Sequence, residues 1–256
     1  MVSIIIPVYN QHKVTKECLK SIVENTTGDY EIIIIDNGSN PSVPFDIGFV
    51  DNIKCYPFTI RNETNLGFPL AINQGIRESK GDVIILLNND VIVTPNWTFQ
   101  LLNLLDKYDI VGPMTNYCAG KQQITIPCYN NEYELNIEAE KFAIKNAGQS
   151  EEVNWVIGFC MAFKRSLYDE IGPFDESLWP CSGEELDFCL RARSKGYRIA
   201  IAKDVYVHHA GSITFKAMQD SGEVNYDTIC RRNNKHVTDR WGEFWTKQSI
   251  TERITK

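Results

Sequence analysis

Five short polar clusters in this sequence could do chemistry. The first is Asn88-Asn89-Asp90, which closes the apolar run Val83–Leu87. Such a run is too short for a helix and rich in branched side chains, so it reads as a strand buried on both faces. In open α/β sheets ligands bind beyond the carboxyl ends of the strands. A carboxylate there is a hard oxygen donor, suited to Mg2+ or Mn2+ carrying a phosphorylated substrate. Taken alone, the same residues describe a polar turn. The second and third clusters, Asp36-Asn37-Gly38-Ser39 and Asn65-Leu66-Gly67, also follow apolar runs, and this repetition shifts the reading from turn to site. The fourth, Glu184-Glu185 with Asp187, has the pattern of an acidic first helical turn. The helix dipole favours acids there, and Asp187 and Arg191 are spaced to pair along the helix. The fifth, His208-His209, ends a strand pattern before Gly211. Neighbours in a strand point to opposite faces, so only one of the two histidines can reach a metal.

The elements that must position these groups alternate along the first 115 residues. Strands are expected at Val2–Pro7, Tyr30–Ile35, Ile53–Ile60 and Val83–Leu87. One helix places Val14, Cys18, Leu19, Ile22 and Val23 on a single face. A second runs from Phe68 to about Ser79, with Gly75 available for close packing. A third covers Phe99 to Leu105, with Thr94 or Asn96 as its cap. Farther on, 184–195 suits a helix capped by Ser182. Strands alternating with helices at this spacing imply a parallel sheet with right-handed crossovers.

Composition removes several classes of function. The 256 residues are 43% hydrophobic and 23% charged, so the chain folds around a substantial core. A net charge of −7 without clustered basic residues argues against a nucleic-acid partner. Neither a transmembrane-length apolar run nor a signal-peptide pattern is present, which leads us to expect a cytoplasmic protein. Eight cysteines without a C-x-x-C pair fit reduced thiols rather than a zinc site. There is no G-x-G-x-x-G after the first strand and no G-x-x-x-x-G-K-[ST], which argues against dinucleotide oxidoreductases and P-loop enzymes. Pro7-Val8-Tyr9-Asn10 also stands where a nucleotidyltransferase would carry a basic glycine loop. A metal ion is the remaining device for neutralising a diphosphate.

With these motifs in order along nearly its whole length, the chain resembles the inverting glycosyltransferases of family 2. Ser3-Ile4-Ile5-Ile6-Pro7-Val8-Tyr9-Asn10 is similar to the family's opening strand, and Asp36-Asn37-Gly38-Ser39 to its nucleotide-contacting turn. Asn65-Leu66-Gly67-Phe68 with Asn73 and Gly75 resembles the next turn and helix. Leu87-Asn88-Asn89-Asp90 resembles the N-N-D form of the metal motif found in a rhamnosyltransferase-like branch. In the second half, the matching segments are Trp155 to Arg165, the G-x-F-D-E turn around Gly172-Pro173-Phe174-Asp175-Glu176, and Gly183 to Arg191. The last two are Val205 to Thr214 and Arg240-Trp241-Gly242.

The resemblance implies a GT-A fold: an α/β, Rossmann-like, mostly parallel central sheet flanked by helices. It also implies one domain over 1–256, with a nucleotide-sugar-binding half (1–115) and an acceptor-binding and catalytic half (116–256). It implies donor contacts at Pro7, Tyr9, Asn10, Asp36 (to the base), Asn65, Gly67, Asn73, Asn88 and Asn89. It places Mn2+ or Mg2+ on Asp90 and on His209, whose spacing fits better than that of His208. It makes Glu185 the catalytic base, standing where the family usually has Asp, with Glu184 as the alternative, and puts Gly158 and Trp179 on the acceptor side. The partners implied are a nucleotide-diphosphate sugar and a glycan, lipid-linked or protein acceptor. Residues 116–152 match the family least and suit either an acceptor-facing insertion or a surface loop. Trp241, Phe244 and Trp245 fall at helical spacing, which fits packing on the core or peripheral contact with the inner face of a membrane. Two other classes remain: a degenerate domain that binds a nucleotide sugar without turnover, and a subunit of a polysaccharide-synthesis complex.

Overall fold

The structure, a computed structural model, describes residues 1–42 and 57–254, with side chains to residue 242. In chain order the elements are β1 (Val2–Val8), α1 (His12–Asn25), β2 (Tyr30–Asp36), β3 (Phe58–Arg61), α2 (Phe68–Glu78), β4 (Val83–Leu87), β5 (Val91–Ile92), α3 (Trp97–Leu104) and β6 (Ile110–Thr115). There follow α4 (Glu132–Lys145), β7 (Ser150–Val153), β8 (Cys160–Lys164), α5 (Arg165–Ile171), α6 (Glu184–Ser194), β9 (Ile199–His209), α7 (Ile213–Asp220) and α8 (Tyr226–Ile254).

The isoleucine-rich runs form the centre because both of their faces are covered. Ile5, Ile33, Ile35, Ile84 and Leu86 share one buried cluster with Ala71, Ile72 and Ile76 of α2. Ile4, Ile6, Ile32, Ile34, Ile85 and Leu87 point the other way, into a second cluster with Cys18 and Leu19 of α1 and Trp97 and Leu101 of α3. Burying each such side chain contributes about 1.5–3 kcal/mol relative to leaving it in water. Gly75 lets α2 lie close on the sheet, since a Cβ there would come within 2.4 Å of Ile5 Cγ2. With both faces apolar, alternation alone does not choose a register. A polar pin does so at the start of β1, where Ser3 Oγ donates to Glu31 Oε1 at 2.6 Å and accepts from Gly81 N at 2.8 Å.

Among the described residues the strands form one sheet in the order β3-β2-β1-β4-β8-β6-β9-β5, with β7 also on β9. β3, β2, β1 and β4 are parallel to one another, as are β6 and β9. β8 runs antiparallel between β4 and β6 and leaves those two pointing the same way. The sheet is therefore mostly parallel, as the alternating pattern predicts.

Registers bring the polar clusters to one edge. Val8 stands opposite Asp36, and Ile5 opposite Leu86, so the turns after β1, β2 and β4 open together. β8 enters from that edge, with Leu87 opposite Cys160 and Asn88 N donating to Phe159 O at 2.9 Å. The end of β9 returns there too, because β5 pairs Val91 with His209.

Several local expectations change. The strand expected at Ile53–Ile60 is observed as Phe58–Arg61, and its expected first part lies outside the described residues. The third helix begins at Trp97, whose fully buried indole donates to Thr26 Oγ1 at 3.0 Å, and Asn96 precedes it in left-handed backbone without a side-chain cap bond. Ser182 does not cap α6. The residue before the helix is Gly183 at φ 98°, and its N–H donates to Glu185 Oε2 at 3.2 Å, so the helix is capped from inside. Gly75, the parallel core and the Asp187–Arg191 pair at 2.8 Å are as expected. Phe244 and Trp245 lie beyond the described side chains, whereas the Trp241 indole donates to Asp187 Oδ1 at 2.8 Å.

Candidate active site

The converging turns enclose a cleft of about 540 Å³. Pro7, Tyr9, Asn65, Gly67, Asn88 and Asn89 line it from the first half of the chain, and Gly158, Glu184, Glu185 and His209 from the second, with Asp90 between. Eleven of the fifteen predicted site residues thus line the cleft. Asn10, Asp36, Asn73 and Trp179 are not on the cleft wall.

The residues off the wall hold it in shape. Asp36 is 1% exposed, forms an ion pair with Arg61 and accepts from Ser39 N at 2.9 Å. Asn10 ties the turn after β1 to the turn after β2, its N–H donating to Ser39 Oγ and its Oδ1 accepting from Asn40 N, both at 2.8 Å. Asn73, fully buried, joins α2 to the turn at Phe174 by donating to Phe174 O at 2.8 Å and accepting from Phe174 N at 3.0 Å. Trp179 is 41% exposed beside Gly67, where a Cβ would lie 2.5 Å from Trp179 Cδ1.

Some wall residues already have assigned partners. Asn89 turns its amide to Thr15 Oγ1 at 2.9 Å. Asn65 Oδ1 accepts from Asn37 Nδ2 at 2.9 Å and from Gly67 N at 3.0 Å. Tyr9 OH donates to Glu223 at 2.9 Å, which draws the segment after α7 towards the cleft. Motif reading gave no separate role to Asn37, Asn116, Tyr117 or Thr214. Asn37 faces the cleft from the same turn as Asp36, so its position in the motif was the available signal. Thr214 lines the cleft with a buried hydroxyl that makes no hydrogen bond. No periodicity or motif marks Asn116 and Tyr117.

Asp90 and His209 meet. Both are buried, and His209 Nε2 lies 3.2 Å from Asp90 Oδ1. That is ion-pair distance, yet the geometry is not that of a hydrogen bond, and Nε2 has no hydrogen-bond partner. The other ring nitrogen, Nδ1, lies 2.8 Å from Tyr117 O. A carbonyl can only accept, so Nδ1 carries a proton and Nε2 is the ring nitrogen that faces the carboxylate. This placement of an imidazole nitrogen against a carboxylate oxygen in a buried site suits a cation, a proton or a metal ion, between them. Among the described residues no group of three or more His, Cys, Asp or Glu side chains could hold a metal. A divalent ion here would therefore take two protein ligands and complete its shell with water and phosphate oxygens, the habit of Mg2+ at phosphate-transfer sites.

Electrostatics favour an ionised Asp90. Burial pushes its carboxyl up, but the His209 ring and the N–H of Ile213, at 3.3 Å, outweigh burial and hold it below the ordinary carboxylate value. His208 points away from Asp90 to Tyr129, and burial, followed by the neighbouring His209, lowers its basicity. The alternation along β9 thus separates the two histidines, as expected.

Glu184 and Glu185 occupy the first turn of α6 and are 5% and 9% exposed. Gly158 faces Glu185 across the wall, and a Cβ there would lie 3.4 Å from Glu185 Cβ, so the missing side chain leaves space beside the stem of Glu185. Such an arrangement can hold an anion through a cation at one end and accept a proton at the other.

The chain as a whole is similar to known proteins. Residues 3–172 match the family described as Glycosyl transferase family 2. An uncharacterized glycosyltransferase of Haemophilus influenzae is 34% identical over 202 residues, 75% of this chain and 61% of that protein. Across three curated relatives the chain spans 27%, 61% and 66% of the relative's own length. Among solved structures, GalNAc-T7 with UDP, GalNAc and Mn2+ aligns at TM-score 0.64 and 18% identity, over 82% of this chain and 43% of that one. The mannosyltransferase PcManGT of Pyrobaculum calidifontis, with GDP-Man and Mn2+, aligns at 0.60 and 17% identity, over 82% and 56%. These two likenesses concern the fold, which is GT-A. With the family model covering most of its length, the chain belongs to glycosyl transferase family 2.

Proposed function

We propose that this protein is a metal-dependent, inverting glycosyltransferase that moves a sugar from a nucleotide-diphosphate sugar to an acceptor hydroxyl. The observation that carries the reading is that Asp90, His209, Glu184 and Glu185 line one cleft although they come from separate segments of the chain. Residues 1–115 would supply most of the donor side and residues 116–256 the acceptor and catalytic side of a single domain.

The nucleotide would lie along Pro7, Tyr9, Asn65 and Gly67. Asn37, which faces the cleft, is the group we assign to the base edge. Asp36 would act through the turn that it and Arg61 hold, and Asn10 and Asn73 would keep their loops in place in the same way. Mn2+ or Mg2+ would be held by Asp90 and His209, and when bound it supplies positive charge that stabilises a diphosphate leaving group. Asn88 and Asn89 shape that end of the cleft.

Glu185 takes the proton from the acceptor hydroxyl, whose oxygen forms a bond to the anomeric carbon as the bond from that carbon to the diphosphate breaks. A single displacement needs one base and no protein nucleophile, and it inverts the anomeric centre. Base assistance of this kind contributes about 10²–10⁴-fold. Gly158 leaves room for the acceptor next to Glu185, and Trp179 stands at the rim where a glycan, lipid-linked or protein acceptor would approach. The free cysteines among the described residues, several of them buried, support a reducing, cytoplasmic setting. No helix among the described residues is long and apolar enough to cross a membrane, and contact with an inner membrane face is a further part of the reading.

The test is a panel of nucleotide sugars scored for thermal stabilisation with Mn2+, followed by assay of nucleoside diphosphate release on adding acceptors. One donor that stabilises the protein only with Mn2+, and turns over with an acceptor, is the expected result. Stabilisation by none of them would remove the reading.

A further inference from the structure

The pairing of β6 with β9 ends at Thr115 and Val207. Past that point a side chain continues the ladder. Asn116 Oδ1 accepts from His209 N at 2.8 Å, and Asn116 Nδ2 donates to His209 O at 3.0 Å. One carboxamide thus satisfies both backbone groups of the last residue of β9, as a neighbouring strand would.

The next residue completes the arrangement. Tyr117 O accepts the Nδ1 proton of His209 at 2.8 Å, which makes Nε2 the ring nitrogen that faces Asp90. The ring has little freedom to turn. Phe159 stacks on it at 5.2 Å and 20°, and Tyr117 meets it edge-on at 5.9 Å and 71°. A flipped imidazole would set a carbon against the Tyr117 carbonyl and lose that hydrogen bond. Tyr117 can lie there because Gly211 has no side chain: a Cβ would approach Tyr117 Cδ1 to 2.6 Å.

We propose that Asn116 is a positioning residue for the metal end of the site, fixing the His209 backbone against the Tyr117 carbonyl so that His209 keeps the tautomer that can bind a cation. This rests on the reading of Asp90 and His209 as the metal-holding pair. It assigns a role to the start of the segment that matches the family least. Groups that orient a metal-bound histidine commonly set its tautomer, and their loss typically costs about 10–100-fold in metal affinity.

The test has two readouts on the full chain. The first is the imidazole nitrogen spectrum of ¹⁵N-histidine-labelled, metal-free protein, with His209 assigned by its loss in His209→Gln. Wild type should show Nδ1–H with an unprotonated Nε2, and Asn116→Ala should show a mixture of tautomers. The second is Mn2+ affinity in the presence of UDP, and separately of GDP, followed by electron paramagnetic resonance. Asn116→Ala should weaken it by about 10–100-fold. Asn116→Asp keeps the acceptor for His209 N–H and loses only the donor, so its tautomer spectrum should lie nearer wild type. That variant also carries the test if Asn116→Ala does not fold: a minor Nε2–H population that wild type lacks supports the proposal, and a spectrum identical to wild type overturns it. A wild-type tautomer in Asn116→Ala, or weakened Mn2+ binding without a tautomer change, also overturns it. Should His209→Gln bind Mn2+ and nucleotide like wild type, the metal reading fails, and the tautomer spectra then report separately on Asn116.

Discussion

Val91 and His209 stand opposite each other where β5 pairs with β9, and Ala210 N donates to Asp90 O at 3.0 Å. This short antiparallel pairing brings the carboxylate that follows β4 to the imidazole that ends β9. The meeting of these two side chains is thus a matter of strand register rather than of a contiguous motif.

If that pair holds the cation, Asp90→Ala and His209→Ala should each abolish the Mn2+ dependence of nucleotide binding. The loss should exceed the roughly 10–100-fold expected from removing an outer partner. Calorimetry with UDP and with GDP, with and without Mn2+, checks this. Equal affinities in the two conditions for wild type would remove the cation from the account.

Asp90 also makes a prediction for metal-free stability. Its carboxyl is lower in the folded protein than in the unfolded chain, where it titrates near 4. Its contribution to stability is therefore present above about pH 4 and is lost as pH falls through the lower folded value. Urea denaturation of Asp90→Asn over this acid range should show a shallower fall in stability than wild type. A parallel pair of curves would contradict the assignment.

Gly158 is open to a direct steric test. It does not adopt a positive φ, so Gly158→Val should fold. Its side chain would occupy the space beside Glu185, so acceptor KM should rise while nucleotide binding stays unchanged. An unaltered acceptor KM would move the acceptor elsewhere.

Packing of α2 on the sheet predicts a stability change away from the cleft. Gly75→Ala brings a methyl into the Ile5 side chain and should destabilise the protein by about 1–3 kcal/mol, the usual range for overpacking. Chemical denaturation checks it, and a neutral substitution would show that Ile5 can move aside at little cost.

How much of this was readable from residues alone depends on how local the cause is. Val2–Pro7, Tyr30–Ile35 and Val83–Leu87 were legible because an apolar run bounded by polar turns has few other folds available. The insertion of β8 between β4 and β6 was not, since antiparallel pairing across long separations leaves no local trace. Asp36 shows the same limit: its turn is plain in the sequence, whereas its engagement by Arg61 requires β2 and β3 to lie side by side. Asn116 sits in a polar stretch without periodicity, and only the divergence of β6 from β9 gives its amide a purpose. Ser182 looked like a helix cap by residue type, but positive φ at both Ser182 and Gly183 sets the start of α6 differently.

The central claim concerns Glu185. With the donor and acceptor that wild type turns over fastest, Glu185→Gln should lower kcat by about 10²–10⁴-fold while Mn2+-dependent nucleotide affinity stays at the wild-type value. Glu184→Gln should retain much more activity. Transfer by Glu185→Gln within a few-fold of wild type, or the large loss appearing in Glu184→Gln instead, would contradict the account.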